Sequence, residues 1–195
     1  MITKKLIQDA DSYSAYKKRI DVLLSENKTT GANHSEVMLN YTNLNVHRMK
    51  RLDKTTIISQ ELSAVMAKIQ TPQIWLVISG AWCGDAAQNL PVINSVAQHS
   101  DAIDLKIILR DEHPEIMDKY LTNGGKSIPK LIMLDAKSLT EIAVWGPRPI
   151  PTQEMVLENK KTQTKSHDDL NKDLQLWCVK DKTQTIQNEI VDLLM

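Results

Sequence analysis

The 195-residue sequence predicts an α/β fold, a three-layer α/β/α arrangement around a mixed sheet, preceded by an N-terminal helical extension. Three observations carry this. Apolar residues recur at helical spacing through roughly the first 70 positions. Two short, continuously apolar runs then follow, with an amphipathic stretch between them. Two further apolar runs are separated only by a tight connection, which reads as an antiparallel hairpin.

Taken in order, Tyr13, Tyr16, Ile20 and Leu23 share one helix face. Val37, Tyr41, Leu44 and Met49 mark a second helix, closing near Leu52, with Ser35 or Asn33 as its cap. Ile58, Leu62, Val65, Met66 and Ile69 mark a third, which stops before Pro72 because the residue preceding a proline is disfavoured in helical geometry. Residues 74–79 (IWLVIS) and 105–110 (LKIILR) read as strands buried on both faces. Between them, residues 84–98 place Leu90, Ile93, Val96 and Ala97 on one helical face. A short helix over residues 115–121, the loop TNGGKSIP, and the hairpin KLIML/EIAVW complete the sheet region. Beyond it, PTQEMVLENKKTQ has a weak apolar face. From His167 onward, Leu170, Leu174, Trp177, Cys178, Ile186, Ile190, Leu193 and Leu194 predict a long or broken terminal helix. The organisation expected is an extension over residues 1–55 packed on a core domain over residues 56–195.

Composition narrows the function classes. Lys plus Arg and Asp plus Glu number 24 each, so no net field favours nucleic acid or an anionic membrane. No apolar run approaches the ~18 residues of a spanning helix, and the first residues, MITKKLIQDADSY, lack a signal-peptide core. A cytoplasmic protein is expected, with Cys83 and Cys178 both reduced at rest.

The chemistry concentrates in SGAWCGDAAQNLP, residues 79–91. It puts Cys83 behind Trp82, just past a buried strand and at the start of a helix, where unpaired N–H groups favour an anion. Four landmarks there and downstream resemble the thioredoxin superfamily. Trp82–Cys83–Gly84–Asp85 resembles its Trp-Cys-Gly motif, Pro91 its helix-kinking proline, and Ser127–Ile128–Pro129 the segment ending in its cis-proline. Gly146 resembles the glycine that closes its last strand. The resemblance covers about residues 56–160 and implies a thioredoxin-like fold, with Trp82, Ile128 and Pro129 contacting an extended substrate. Three departures matter. Ala86 stands where the family has its second cysteine, Val77 where it has a buried acid, and Ile107 where it has that acid's lysine partner. Their joint absence implies that the two-thiol cycle is gone.

What remains is a single candidate nucleophile. A free cysteine is only ~3% thiolate at neutral pH, and a helix terminus can lower its pKa to about 6.5. Asp85 opposes ionisation if it faces the sulfur. Arg148, and with less support Arg110, are expected near Cys83 and Asp85, because strand carboxyl ends gather at the active edge of such sheets. The alternative is that both arginines are solvated loop charges. A resolving thiol has to come from a small thiol, from another protein, or from Cys178, which reads more simply as a structural residue on an apolar stripe.

The expected function is therefore thiol–disulfide exchange or related thiol redox chemistry through Cys83, with protein or small-molecule thiols and disulfides as partners and without cofactor or metal. The alternative is a non-catalytic thioredoxin-fold binding module. Other motifs are decoys. GGKS (residues 124–127) lacks the earlier glycine and the following helix of a phosphate loop. The five histidines show no metal-ligand spacing. His113 reads as a helix-start residue, and the basic run HRMKRLDK as a solvated helix face.

Overall fold

The computed structural model describes residues 1–195. Four strands, β1 (Gln73–Ser79), β2 (Ile103–Leu109), β3 (Lys130–Asp135) and β4 (Glu141–Trp145), form one mixed sheet in the order β2-β1-β3-β4. β1 runs parallel to β2, from Gln73↔Ile103 to Ser79↔Leu109, and antiparallel to β3. β3 and β4 form the expected antiparallel hairpin. Asp135 stabilises its turn by accepting from the backbone N–H groups of Lys137 and Ser138. β1 is central, and its last six residues are buried, which is why it reads as an unbroken apolar run.

The parallel pair is joined by α5 (Gly84–Ala97), which starts at Cys83 and holds Pro91 inside it. α6 (Pro114–Met117) follows β2 and is shorter than expected, ending before residues 118–121. His113 is its cap residue, in keeping with its helix-start reading. β2 departs from expectation too. Only its last three residues are buried, because it lies at the sheet edge. A single bridge from Asp11 to Ile107 covers part of that edge.

The N-terminal segment supplies α1 (Lys4–Asp9), α2 (Tyr13–Ser25) and α3 (Glu36–Thr55), and α4 (Gln60–Met66) leads into β1. Tyr13, Tyr16, Ile20 and Met49 join Leu62, Trp75, Val77, Leu90 and Ile190 in a single 23-residue apolar cluster, so the extension and the sheet share one core. α3 exists as predicted but presents a different face. Val37 and Leu44 are exposed, whereas Thr42, Asn45, Met49 and Leu52 are buried. Two polar residues occupy core-facing turns because each has a hydrogen-bond partner inside: Thr42 bonds Thr29 and Asn45 bonds Ala81.

The terminal helix is broken. α7 (Ile150–Thr162), α8 (His167–Asp181) and α9 (Gln184–Leu194) succeed one another, and Lys182 and Thr183, both at positive φ, end α8. α9 covers the core through Ile186, Ile190 and Val191, while α8 buries only Leu174. No helix is long and apolar enough to cross a membrane.

Candidate active site

Ala81 and Trp82 turn the chain from the end of β1 into α5, and Cys83 is the cap residue of that helix. Its extended backbone (φ −81°, ψ 119°) lets its side chain swing back over the first turn. The sulfur accepts from the Ala86 N–H at 3.5 Å, and the sulfhydryl donates to the Ile128 carbonyl oxygen at 3.3 Å. Ile128 precedes Pro129 through a cis bond, as the resemblance implied, and a second cis bond joins Gly146 to Pro147. Gly146 sits at φ +112°, and a Cβ there would stand 2.4 Å from the Pro129 carbonyl oxygen, so only glycine lets the two loops close on each other.

Asp85 and Arg148 are brought together beside the thiol. Arg148 donates through Nε to Asp85 Oδ2 at 3.1 Å and through Nη2 to the same oxygen, and its Nη1 donates to Gln153. Both side chains are half-buried. Arg110 is placed differently from expectation. Its guanidinium lies 4.5 Å from the centre of the Trp82 ring and is held there by Asp111. Cation–π attraction and the Asp111 pair fix it over the indole, so it meets the site through Trp82 and not through Asp85. Trp82 is half-buried, and the Ile128 side chain is buried against Gly80, inside the fold. The Ile128 carbonyl faces the thiol, and its side chain packs beneath, beside Gly80.

The electrostatics of the site favour the neutral thiol. Burial pushes the Cys83 thiol up to about 12, and the neighbouring Asp85 carboxylate pushes in the same direction. The backbone N–H groups of Ala86 and Asp85, and the Arg148 guanidinium, oppose this without cancelling it. The helix terminus thus acts on the sulfur as expected, but desolvation outweighs it. At neutral pH the thiol is protonated, consistent with its donating to Ile128.

Cys178 is free and half-buried on α8. It lines a small cavity with Gln88, Asn89 and Trp177, on a later turn of α5, whereas the Cys83 sulfur turns toward β3. Its thiol is also pushed up to about 12, first by burial and then by Asp85 and Asp181. The basic run of α3 is not uniformly solvated: Arg48 bonds Asn45 and would contact a Cβ at Gly84, and Arg51 reaches Gln88. The loop at residues 124–127 leads into Pro129 and β3 without a helix, as the rejection of a phosphate loop requires.

Sequence reasoning missed the polar side chains from the N-terminal segment that reach this loop: Tyr16, Thr30 and Asn45. One signal existed. Asn45 lies four and seven residues before Met49 and Leu52, on the face that turns inward.

A family model described as thioredoxin matches residues 31–167. The match begins well before the residue 56 at which the resemblance was read, and it takes in all of α3. Two solved structures resemble the chain over its whole length. One is a protein of unknown function from Pseudomonas aeruginosa, 13% identical with a TM-score of 0.62. The other is an HIV epitope-scaffold, 14% identical with a TM-score of 0.63. Each alignment covers 100% of this chain and 98% of the other, and at these identities the likeness concerns the fold alone. None of the curated proteins matches.

Proposed function

We propose that this chain, which belongs to the thioredoxin family, is a one-cysteine thiol protein in which Cys83 exchanges with the disulfide of a protein or small-molecule partner. The observation that carries this reading is the position of the sulfur. It caps α5, partly open to solvent, with the Ala86 N–H on one side and the Ile128 carbonyl on the other. In the resting protein the proton stays on sulfur. Exchange proceeds from the small fraction of Cys83 that has given its proton to a base in solution, a fraction that grows as pH rises. The Cys83 thiolate attacks one sulfur of the partner disulfide. A Cys83–partner S–S bond forms, the partner S–S bond breaks, and the released thiolate takes up a proton. Ala86 cannot supply a second sulfur, and in this reading an external thiol returns Cys83 to its reduced state by a second exchange.

A second reading has an observation of its own. A thiol pushed up to about 12 is a poor nucleophile, which suits a module that binds an extended partner without turnover. One experiment separates the two. The protein is exposed to oxidised glutathione at pH 7–9, and intact masses are read for wild type, Cys83→Ser and Cys178→Ser. The exchange reading expects a mixed disulfide on wild type and Cys178→Ser, reversed by excess thiol and absent from Cys83→Ser. No adduct on Cys83, together with recovery of the same bound partner by wild type and Cys83→Ser, rejects exchange in favour of binding.

A further inference from the structure

Loop backbone at the end of a strand ordinarily finds water for its unpaired N–H and C=O groups. At Ala81, two residues before Cys83, both are instead taken by side chains from the N-terminal segment. The Ala81 N–H donates to Thr30 Oγ1 at 2.8 Å, and Asn45 Nδ2 donates to the Ala81 carbonyl at 2.8 Å. All three residues are buried, Thr30 at 3% and Asn45 at 1% exposure. The Asn45 side chain is held from a second side, and neighbouring polar pairs brace the loop. Arg48 Nη1 donates to Asn45 Oδ1 at 2.8 Å and borders Gly84, and Tyr16 Oη pairs with Ser79 Oγ at 3.1 Å one step before the loop. Thr29 and Thr42, adjacent in the chain or on α3, pair at 2.6 Å.

We infer that Thr30 and Asn45 are positioning residues for Cys83: by holding both backbone groups of Ala81 they keep the Trp82–Cys83 turn pressed inward, with its thiol under protein and against Ile128. This inference rests on Cys83 being the working group of the site, and it assigns the N-terminal segment a part in setting the thiol's ionisation. Two polar side chains spent on the two groups of a single residue, from a loop and from a helix, clamp that residue in place. Packing alone requires no polar residue at the inward-facing turn of α3 that Asn45 occupies. Releasing Ala81 lets the turn move outward and opens the half-buried sulfur further to water. The thiol then relaxes toward the ordinary cysteine pKa near 8.5, because burial is the largest contribution holding it up.

The test uses the full chain carrying Cys178→Ser, so that Cys83 is its one thiol, and reads the rate of iodoacetamide alkylation from pH 6 to 11. No biological substrate is involved, so the outcome is independent of whether Cys83 exchanges disulfides. Thr30→Val and Asn45→Ala are each expected to raise the rate at pH 8 by about tenfold, the rise of the profile moving down by about one unit. Thr30→Ser, which keeps the hydroxyl, restores the parent profile. An unchanged rate at every pH in a folded variant, with only the melting temperature reduced, overturns the inference and leaves a purely structural role. A second measurement needs no substitution: in the unaltered protein the Ala81 amide is expected to exchange hydrogen as slowly as the amides of β1, and exchange at the rate of exposed loops overturns the inference equally.

Discussion

The sulfhydryl of Cys83 donates to the carbonyl oxygen of Ile128 across 3.3 Å, joining the start of α5 to the residue before Pro129. A cysteine at a helix N-terminus is commonly taken as ionised. Here the same geometry holds a neutral thiol, because the sulfur is a donor in one direction while burial and Asp85 disfavour its charge.

Alkylation of wild-type Cys83 is therefore expected to be at least about tenfold slower than that of a free thiol at pH 7.5, and to keep rising above pH 9. Peptide mass spectrometry after timed iodoacetamide treatment reads each cysteine separately. A midpoint near 6.5 would sink this account of the site.

Asp85 and Arg148 should shift that profile in opposite directions. Asp85→Asn removes the carboxylate that disfavours the thiolate and frees Arg148 to face the sulfur, so the midpoint falls. Arg148→Gln leaves Asp85 uncompensated, so it rises. Shifts of about half a unit to one unit are expected for a half-buried pair, and Arg148→Gln is also expected to cost about 1–2 kcal/mol in a urea titration. Movement in the same direction for both would contradict the assignment.

Gly146→Ala meets two obstacles at once: a backbone φ of +112° that L-residues rarely adopt, and a Cβ 2.4 Å from the Pro129 carbonyl oxygen. A loss of about 2–4 kcal/mol is expected by chemical denaturation, with Cys83 alkylation accelerated because the loop carrying Ile128 is displaced. A neutral effect on both readings would show that the loops are less tightly apposed.

Stability should decline in alkali. Cys83 and Cys178 bind their protons more tightly when folded, with values near 12, than when unfolded, where they titrate near 8.5. From about pH 9 upward the unfolded chain therefore holds fewer protons, and the stability difference falls with pH until about 12. Tyr13 and Tyr16, both pushed up by burial, add to the decline at higher pH, whereas Lys130, pushed down by burial, opposes it. Urea midpoints between pH 8 and 10.5 are expected to fall less steeply in Cys83→Ala/Cys178→Ala than in wild type, and equal slopes would refute the cysteine contribution.

Much of the architecture was legible because it depends on local pattern. The unbroken apolar run at residues 74–79 is a central strand, and Cys83 and Ser35 occupy the starts of helices. The misreadings were of neighbours. β2 looked doubly buried because apolar content does not reveal that a strand lies at an edge. The α3 face was read correctly at Met49 and Leu52 but not in its first half, where Val37 and Leu44 are apolar yet exposed while Thr42 and Asn45 are polar yet satisfied inside. Arg110 was expected near Cys83 and Asp85 from its place at a strand end, and with Trp82 among the substrate contacts; it sits over the Trp82 ring, paired with Asp111.

The sequence by itself determined a thioredoxin-family α/β chain with Cys83 at the start of a helix, since helix periodicity, strand runs and the residues around Trp82, Pro91 and Pro129 are properties of consecutive residues. Only the tertiary structure decided what that cysteine is. Its ionisation is a sum over groups that folding gathers around the sulfur: the Asp85 carboxylate against the charge, and the N–H groups of Ala86 and Asp85 and the distant Arg148 guanidinium for it. Desolvation, the largest member of that sum, belongs to no residue's identity and exists only once the chain has folded around the sulfur.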